Sequence, residues 1–158
     1  MPSSEWRALK GAVADIHALL ASAPSLAREV RGRELIRRLS ALDVACLALE
    51  VVTPEFLDVH EFSRPNLRDA VESAFPELGY YNFVRPVAPG ADDSAVVVKD
   101  AIDDLEEILG DLDFALQHET IEGWQRAAWE VQDAYNIHLG SHLADLRSYL
   151  YRQCFIGY

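Results

Sequence analysis

The sequence predicts an all-α fold, a four-helix up-down bundle with a fifth short helix in a long crossover loop. Four segments repeat apolar residues at alternating spacings of three and four, the period of a helix with one buried face. This period fails in one stretch only, residues 53–93. The chain has 158 residues, half of them apolar, so one domain over residues 1–158 is expected to build its own core.

Charge and composition exclude several classes of protein. The net charge of −12 argues against a nucleic-acid-binding protein, which should carry a basic surface. No apolar run has transmembrane length and the first residues show no signal-peptide pattern, so a soluble, cytoplasmic protein without a membrane partner is expected. Cys46 and Cys154 are expected to be free thiols, because they lie in helical apolar contexts without metal-ligand spacing.

The first helix is predicted from its caps and its apolar stripe. Ser3 and Ser4 offer N-caps, and Glu5 suits the positive end of a helix. The helix should end near Pro24. Its predicted core face consists of Trp6, Leu9, Val13, Ile16 and Leu20, with His17 just beside it.

The second helix is predicted to run from about Arg33 to Val52, where Pro54 closes it. Ser25 can cap a short turn of helix before it, and Gly32 is expected to separate that turn from the main helix. The predicted core face consists of Leu35, Leu39, Leu42, Cys46 and Leu49.

The crossover is predicted to contain a short helix from the Ser63–Asn66 segment to about Phe75, because proline is favoured in the first turn. The aromatic segment from Phe75 to Pro86 follows. We expect it to pack across the bundle over a face formed by Trp129 and Gly140, since so many aromatic side chains are seldom left in water. An exposed aromatic binding surface is the alternative.

The fourth segment predicts a regular helix from Ser94 to about Gln117, followed by a turn at residues 118–123. Its core face consists of Val98, Ile102, Leu105, Leu109, Leu112 and Leu116. Acids fill the other face. Nine acids and one base lie between Asp92 and Asp113, and we expect them to form a solvated face or to meet the arginines between Arg28 and Arg38.

The last predicted helix spans Thr120 to about Gln153 and carries two histidines in its apolar stripe. His142 falls near the centre line of that stripe, and His138 falls at its margin on the same side as Asp145. Gly140 points the other way, and a glycine inside a helix suggests a close approach to the backbone. The stripe itself is Trp124, Ala128, Val131, Tyr135, His142, Leu146 and Tyr149.

Several of these residues together resemble a bacterial family, a domain of unknown function of the 5063 series. The resemblance rests on Phe75-Pro76-Glu77-Leu78 followed by tyrosines, on Trp129, and on His138-Leu139-Gly140-Ser141-His142 ahead of Leu146-Arg147. Leu139 stands where that family has tryptophan, and Asp145 precedes Leu146. The resemblance covers roughly Arg33 to Tyr149 and implies a helical fold without an activity.

Two functions are open from the sequence. The first is a non-catalytic protein-interaction module, such as an adaptor, a regulator or an immunity-type inhibitor. It would bind another protein or a second copy of itself through the acidic helix, at Asp100, Asp103, Asp104, Glu107 and Asp111. His142 would then be a core histidine, hydrogen-bonded to a crossing helix or to the aromatic segment, with His138 at its rim near Asp145.

The second is an enzyme that depends on a metal or on its histidines. His138 and His142 are four residues apart, the spacing at which one helix can offer two imidazoles to a metal. A zinc site needs a third ligand, and the sequence selects none. General acid–base catalysis by His142 with Tyr135 is the second variant of the enzyme hypothesis. No cofactor is predicted.

Overall fold

The structure, a computed structural model, describes residues 1–50, 66–84 and 96–156. These residues form five helices and one two-stranded hairpin, so the expectation of a mostly helical chain is confirmed. The helices are α1 (Ser4–Ser22), α2 (Arg28–Leu47), α3 (Arg68–Ala74), α4 (Ala101–Glu122) and a last helix with two α-helical segments, α5 (Trp124–Ala134) and α6 (Gly140–Tyr151). The strands are β1 (Tyr80–Val84) and β2 (Val96–Asp100).

The core lies between the long helices. α1 packs against α2, α4 packs against α5, and α6 packs against both α2 and α4. The short helix α3 rests on α1 and α4. The largest fully buried side chains include Trp6, Leu9, Ile16, Leu35, Leu39, Phe75, Leu105, Ile108 and Leu112. None of the described helices is both long enough and apolar enough to cross a membrane.

Helix α1 forms as predicted. The Ser3 side chain accepts a hydrogen bond from the backbone N–H of Trp6 at 3.1 Å, and Glu5 lies in the first turn. All five residues of the predicted stripe are buried. The Trp6 indole N–H donates to Glu119 Oε1 at 2.8 Å, which joins the start of the chain to the end of α4.

The predicted interruption at Gly32 is wrong, because α2 runs through this residue from Arg28. Gly32 is buried, and the sulfur of Cys154 occupies the space where a Cβ would lie. The glycine therefore serves helix packing. α2 ends at Leu47, earlier than expected, although Leu49 is still buried.

The hairpin corrects two predictions, the loop at the tyrosines and the helix start at Ser94. β1 and β2 pair in antiparallel fashion, with Asn82 opposite Val98. Val96, Val97 and Val98 are β-branched, and their burial alternates as in a strand. α4 begins only after Asp100, whose side chain caps it by accepting from the backbone N–H of Ile102 at 3.0 Å.

The turn predicted at residues 118–123 is also misplaced. α4 continues through His118 to Glu122, and Gly123 ends it with a φ of 89°. That backbone conformation favours glycine. The last helix therefore begins at Trp124 rather than at Thr120.

A π turn in the last helix changes which residues face the core. It spans Tyr135–Leu139 and adds one residue to the helical repeat, so the positions beyond it shift by roughly 100°. From the turn onward the buried positions are Leu139, Leu143, Leu146, Tyr149 and Leu150. Leu146 and Tyr149 are therefore buried as predicted, whereas Leu143 takes the core position expected for His142 and both histidines lie on the flank of the stripe.

The π turn also explains Gly140. A Cβ at this position would lie 2.9 Å from the backbone oxygen of Tyr135, so the expected close approach comes from the helix's own turn. In its described part, residues 75–84, the aromatic segment lies against the end of the last helix rather than over the predicted face, and Trp129 packs under the guanidinium of Arg126 at 5.0 Å. Tyr81 stacks on Tyr149 with ring centroids 4.8 Å apart.

Three of the five arginines between Arg28 and Arg38 pair with acids outside α4. Arg31 pairs with Glu77 at 2.6 Å, and Arg37 and Arg38 both pair with Glu34. Within one chain, these pairs replace the predicted meeting of the basic and acidic patches. Several predicted features lie outside the described residues: the helix start at Ser63–Pro65, the stop at Pro54, and Asp92 and Asp93.

Candidate functional site: a histidine–aspartate cluster beside a strand-edge groove

Two buried aspartates on α4 form the centre of the polar site. Asp104 and Asp111 are 4% and 5% exposed, and they lie two helical turns apart on one face of α4. A buried carboxylate needs hydrogen-bond donors, because an unpaired buried charge is costly. One donor to each aspartate comes from a histidine of the last helix.

His142 bridges two carboxylates of α4. Its Nδ1 lies 2.6 Å from Asp104 Oδ1, and its Nε2 lies 3.0 Å from Glu107 Oε2. The side chain is 19% exposed, so the ring is mostly enclosed. The predicted hydrogen bond from His142 to a crossing helix is therefore present, although the ring stands beside the apolar core.

His138 forms the second pair of the cluster. Its Nε2 is in close contact with Asp111 Oδ2, and its side chain is 37% exposed. The rings of His138 and His142 meet edge to face at a centroid distance of 5.9 Å. The two histidines thus fasten the last helix to α4 at two successive turns. We call Asp104, Glu107, Asp111, His138 and His142 the His–Asp cluster.

The electrostatics of the cluster favour a charged His142. The hydrogen bond to Asp104 raises the pKa of His142, burial works in the opposite direction, and the charges of Asp104 and Glu107 raise it further. Carboxylates at both nitrogens stabilise the protonated form of an imidazole, because each accepts a hydrogen bond from a ring N–H.

The hairpin supplies two further groups that the sequence did not reveal. The Tyr81 hydroxyl donates to Asp104 Oδ2, and Lys99 Nζ lies 4.0 Å from Asp104 Oδ1. Burial, followed by the bond to Asp104, raises the pKa of Tyr81. A signal for the buried acids exists in the sequence, since Asp104 and Asp111 border the apolar residues Leu105, Ile108 and Leu112.

Tyr135 and Asp145 lie outside the His–Asp cluster. The Tyr135 hydroxyl donates to Asp43 Oδ1 at 2.7 Å, and burial together with this bond raises its pKa to about 12. Asp145 accepts a hydrogen bond from Lys99 at 2.6 Å. The sequence-based hypotheses expected Tyr135 beside His142 and Asp145 beside His138. The structure instead pairs Tyr135 with Asp43 and Asp145 with Lys99.

The predicted acidic contact surface is largely used inside the chain. Asp104 and Asp111 are buried against histidines, and Asp100 caps α4 and lies 3.5 Å from Arg68. Asp103 and Glu107 remain exposed, at 54% and 53% of their side chains. Asp103 also pairs with Arg68. Only part of the expected surface is thus open to a partner.

A fully buried histidine lies at the far end of α4. His118 is 2% exposed, its Nδ1 lies 3.0 Å from Glu122 Oε1, and its ring meets Phe114 at 5.0 Å. The sequence placed it in a turn. Among the residues that the structure describes, no group of three or more His, Cys, Asp or Glu side chains is arranged to hold a metal ion.

The hairpin presents an apolar face to the surroundings. Tyr80, Val84, Val96 and Val98 are 76%, 58%, 61% and 63% exposed, and the strand period places them on one side of the sheet together with Asn82. We call these five residues the hairpin outer face.

A groove of about 480 Å³ runs along β1 on the side away from β2. All five residues of β1 form one wall, and the last helix forms the other with Asp145, Ser148, Tyr149, Arg152 and Gln153. We call it the edge groove. Because both odd and even residues of β1 line it, the wall is the strand's backbone edge.

No family model, curated protein or solved structure matches this chain.

Proposed function

We propose that the protein is a non-catalytic protein-interaction module and that it binds its partner through the hairpin outer face. The supporting observation is the exposure of four apolar side chains on one face of a two-stranded sheet. Contiguous exposed apolar surface is uncommon on soluble proteins and marks contact sites. Among the residues that the structure describes, β1 pairs with β2 alone, and its other edge adds a second means of association.

The His–Asp cluster supports a structural role for the histidines. General-base catalysis by His142 would need a ring nitrogen free to accept a proton, whereas both of its nitrogens face carboxylate oxygens. The alternative, a metal-dependent or histidine-based enzyme using His138 and His142, has no further observation in its favour. We therefore assign the cluster to holding α4, the hairpin and the last helix together.

A protein other than a second copy of this chain is the favoured occupant. Two copies would each bring a net charge of −12 to the interface, and like charges repel at the distances where encounter begins. A neutral or basic partner avoids this cost. We further propose an up-down packing of the long helices, action in the cytoplasm, and membership of the family that the His138–His142 motif resembles.

Site-specific photo-crosslinking in the cell of origin tests the proposal. A benzophenone amino acid at Tyr80 is expected to give a cross-linked product with one dominant partner, while the same group at Ala14, an exposed position on α1, is not. Substitution of Val96 and Val98 by threonine keeps the β-branched shape and removes apolar surface. It should abolish the product without changing the melting temperature.

Three results would contradict this function. The first is equal labelling from Tyr80 and Ala14, and the second is a product that survives both valine substitutions. The third is a cross-linked species of twice the mass of the chain, which would assign the face to self-association.

A further inference from the structure

We infer that the edge groove binds an extended segment of the partner as a third strand beside β1. This inference rests on the proposed protein-binding function and names the element that is recognised. Strand addition to an exposed sheet edge derives affinity from backbone hydrogen bonds and specificity from alternate side chains.

The register of the hairpin shows which backbone groups are open. The backbone N–H of Ala101 donates to the Gly79 carbonyl at 3.1 Å, one step before the pair Tyr80–Asp100. Hydrogen-bonded pairs alternate along an antiparallel ladder, so Tyr81 and Phe83 direct their backbone groups to β2. Tyr80, Asn82 and Val84 direct theirs into the edge groove.

The two walls of the groove suit an extended chain. β1 contributes five residues, a length of roughly 17 Å at about 3.3 Å per residue. The facing wall is the last helix, and Tyr149 is held in place by stacking on Tyr81. A segment paired with β1 would therefore meet a fixed surface on its inner side.

Alternate side chains of the added strand meet different surroundings. One set would stand beside the hairpin outer face, where Tyr80 and Val84 flank Asn82. The other set would lie between the inner side of β1 and the last helix, where Ser148 and Gln153 offer polar groups. The matching segment thus alternates β-branched or aromatic residues on the outer side with polar residues that reach the last helix on the inner side.

Charge adds one further requirement. Asp145 is neutralised by Lys99 at 2.6 Å, while Arg152 is exposed and has no ion pair with any described acid. The accessible charge in the groove is therefore positive, and it fits one carboxylate on the polar side of the segment. A wholly acidic partner is disfavoured by the net charge of −12. The recognised segment is an extended, alternating peptide with a single carboxylate.

Random heptapeptides displayed on phage provide the probe, followed by fluorescence anisotropy on a synthetic peptide from the enriched pool. We expect enriched sequences to alternate apolar and polar residues and to contain one Asp or Glu. On binding, the amide protons of Tyr80, Asn82 and Val84 should gain protection from hydrogen exchange. Those of Tyr81 and Phe83 should change little, because they already bond to β2.

Two sets of variants make the mode of binding specific. Asn82→Pro removes one open-edge donor and no donor to β2, and it should weaken binding by about tenfold or more, whereas Asn82→Ala should not. Arg152→Gln should weaken the carboxylate peptide and leave its Asn or Gln analogue unchanged. The peptide can also be N-methylated at every second amide, either at the odd or at the even positions. One of these two peptides should lose binding because its methyl groups face β1, and the other should still bind; the protein is the same in both measurements.

The outcomes separate this inference from the proposed function. Strand addition would be overturned by any of three results. They are no peptide enriched over a control protein, uniform protection along β1, and equal binding of the two N-methylated peptides. If Tyr80 still cross-links a partner in the cell, the hairpin remains the contact surface and only the mode of binding is lost. If neither experiment succeeds, both are overturned.

Discussion

At the scale of single residues, the two histidines are defined by the acids that they meet. Asp104 and Asp111 are buried on α4, and each has one histidine of the last helix against it. The bridge from Asp104 through His142 to Glu107 is expected to persist as long as the ring stays protonated. Stability should therefore depend on pH.

The first prediction concerns His142→Gln, which keeps a hydrogen-bond donor and removes the charge. Because the pKa of His142 in the folded chain lies above its ordinary value of 6.5, folding favours the protonated ring. The extra stability of the wild type should be complete below about pH 6.5 and should decline as the pH rises through the folded pKa. Chemical denaturation at a series of pH values measures it.

Asp104→Asn supplies the control for this pH dependence. It removes the first cause of the raised pKa, so the effect of His142→Gln should vary less with pH in that background. A stability difference between wild type and His142→Gln that is the same at pH 6 and at about pH 9 would contradict the prediction.

At the scale of elements, packing between α2 and the end of the chain depends on one glycine. Cys154 belongs to the π turn Arg152–Ile156 that follows α6, and its sulfur lies over Gly32 of α2. This contact lets the last helix approach α2 closely. The same helix is fastened to α2 by Asp43, which accepts hydrogen bonds from Tyr135 and Arg147.

The second prediction is that Gly32→Ala destabilises the protein, by about 1–3 kcal/mol, because the new Cβ overlaps the sulfur of Cys154. Combining it with Cys154→Ala should recover part of the loss. Gly11→Ala is the matched control, since no atom lies within 4 Å of its added Cβ, and it should stabilise α1 by about 0.5–1 kcal/mol. Thermal and denaturant unfolding measure all three, and similar gains from both glycine substitutions would refute the packing argument.

At the scale of the whole molecule, the excess of acids opposes folding. The chain has 26 acidic and 14 basic residues, and folding brings the excess negative charges closer together, which raises their mutual repulsion. Ion pairs such as Lys10–Glu119, at 2.8 Å, relieve some of it locally. Partly exposed pairs contribute only about 0–1 kcal/mol each, so they do not offset the repulsion over the rest of the surface.

The third prediction follows from this imbalance. At pH 8, raising sodium chloride from about 0.02 to 0.5 M should raise the melting temperature, because screening weakens the net repulsion more than it weakens the exposed pairs. Near the isoelectric point of about 4.7, the same salt should have little effect. A melting temperature that falls with salt at pH 8 would mean that attractive pairs dominate.

The candidate site was only partly predictable from the sequence. Histidine spacing identified His138 and His142, and the acidic pattern identified Asp104, Glu107 and Asp111 as a set. Neither pattern joined the two sets, because the pairing depends on which turns of α4 and the last helix lie side by side. Tyr81 and Lys99 come from a hairpin that the helical interpretation of residues 94–100 excluded.

The sequence by itself determined the apolar stripes of α1 and α2, since a helix period of 3.6 residues places their apolar residues on one face. For α4 it determined only Leu105, Leu109 and Leu112, because Val98 is exposed on β2 and the buried face also carries Asp104 and Asp111. The tertiary structure alone decided the π turn at Tyr135–Leu139, after which Leu143 rather than His142 is buried and both histidines lie beside the acids of α4. It also decided the hairpin, because a run such as Val96–Val98 fits either a helix or a strand until a partner strand is present. Local periodicity specifies a face, and only the neighbouring elements specify what that face meets.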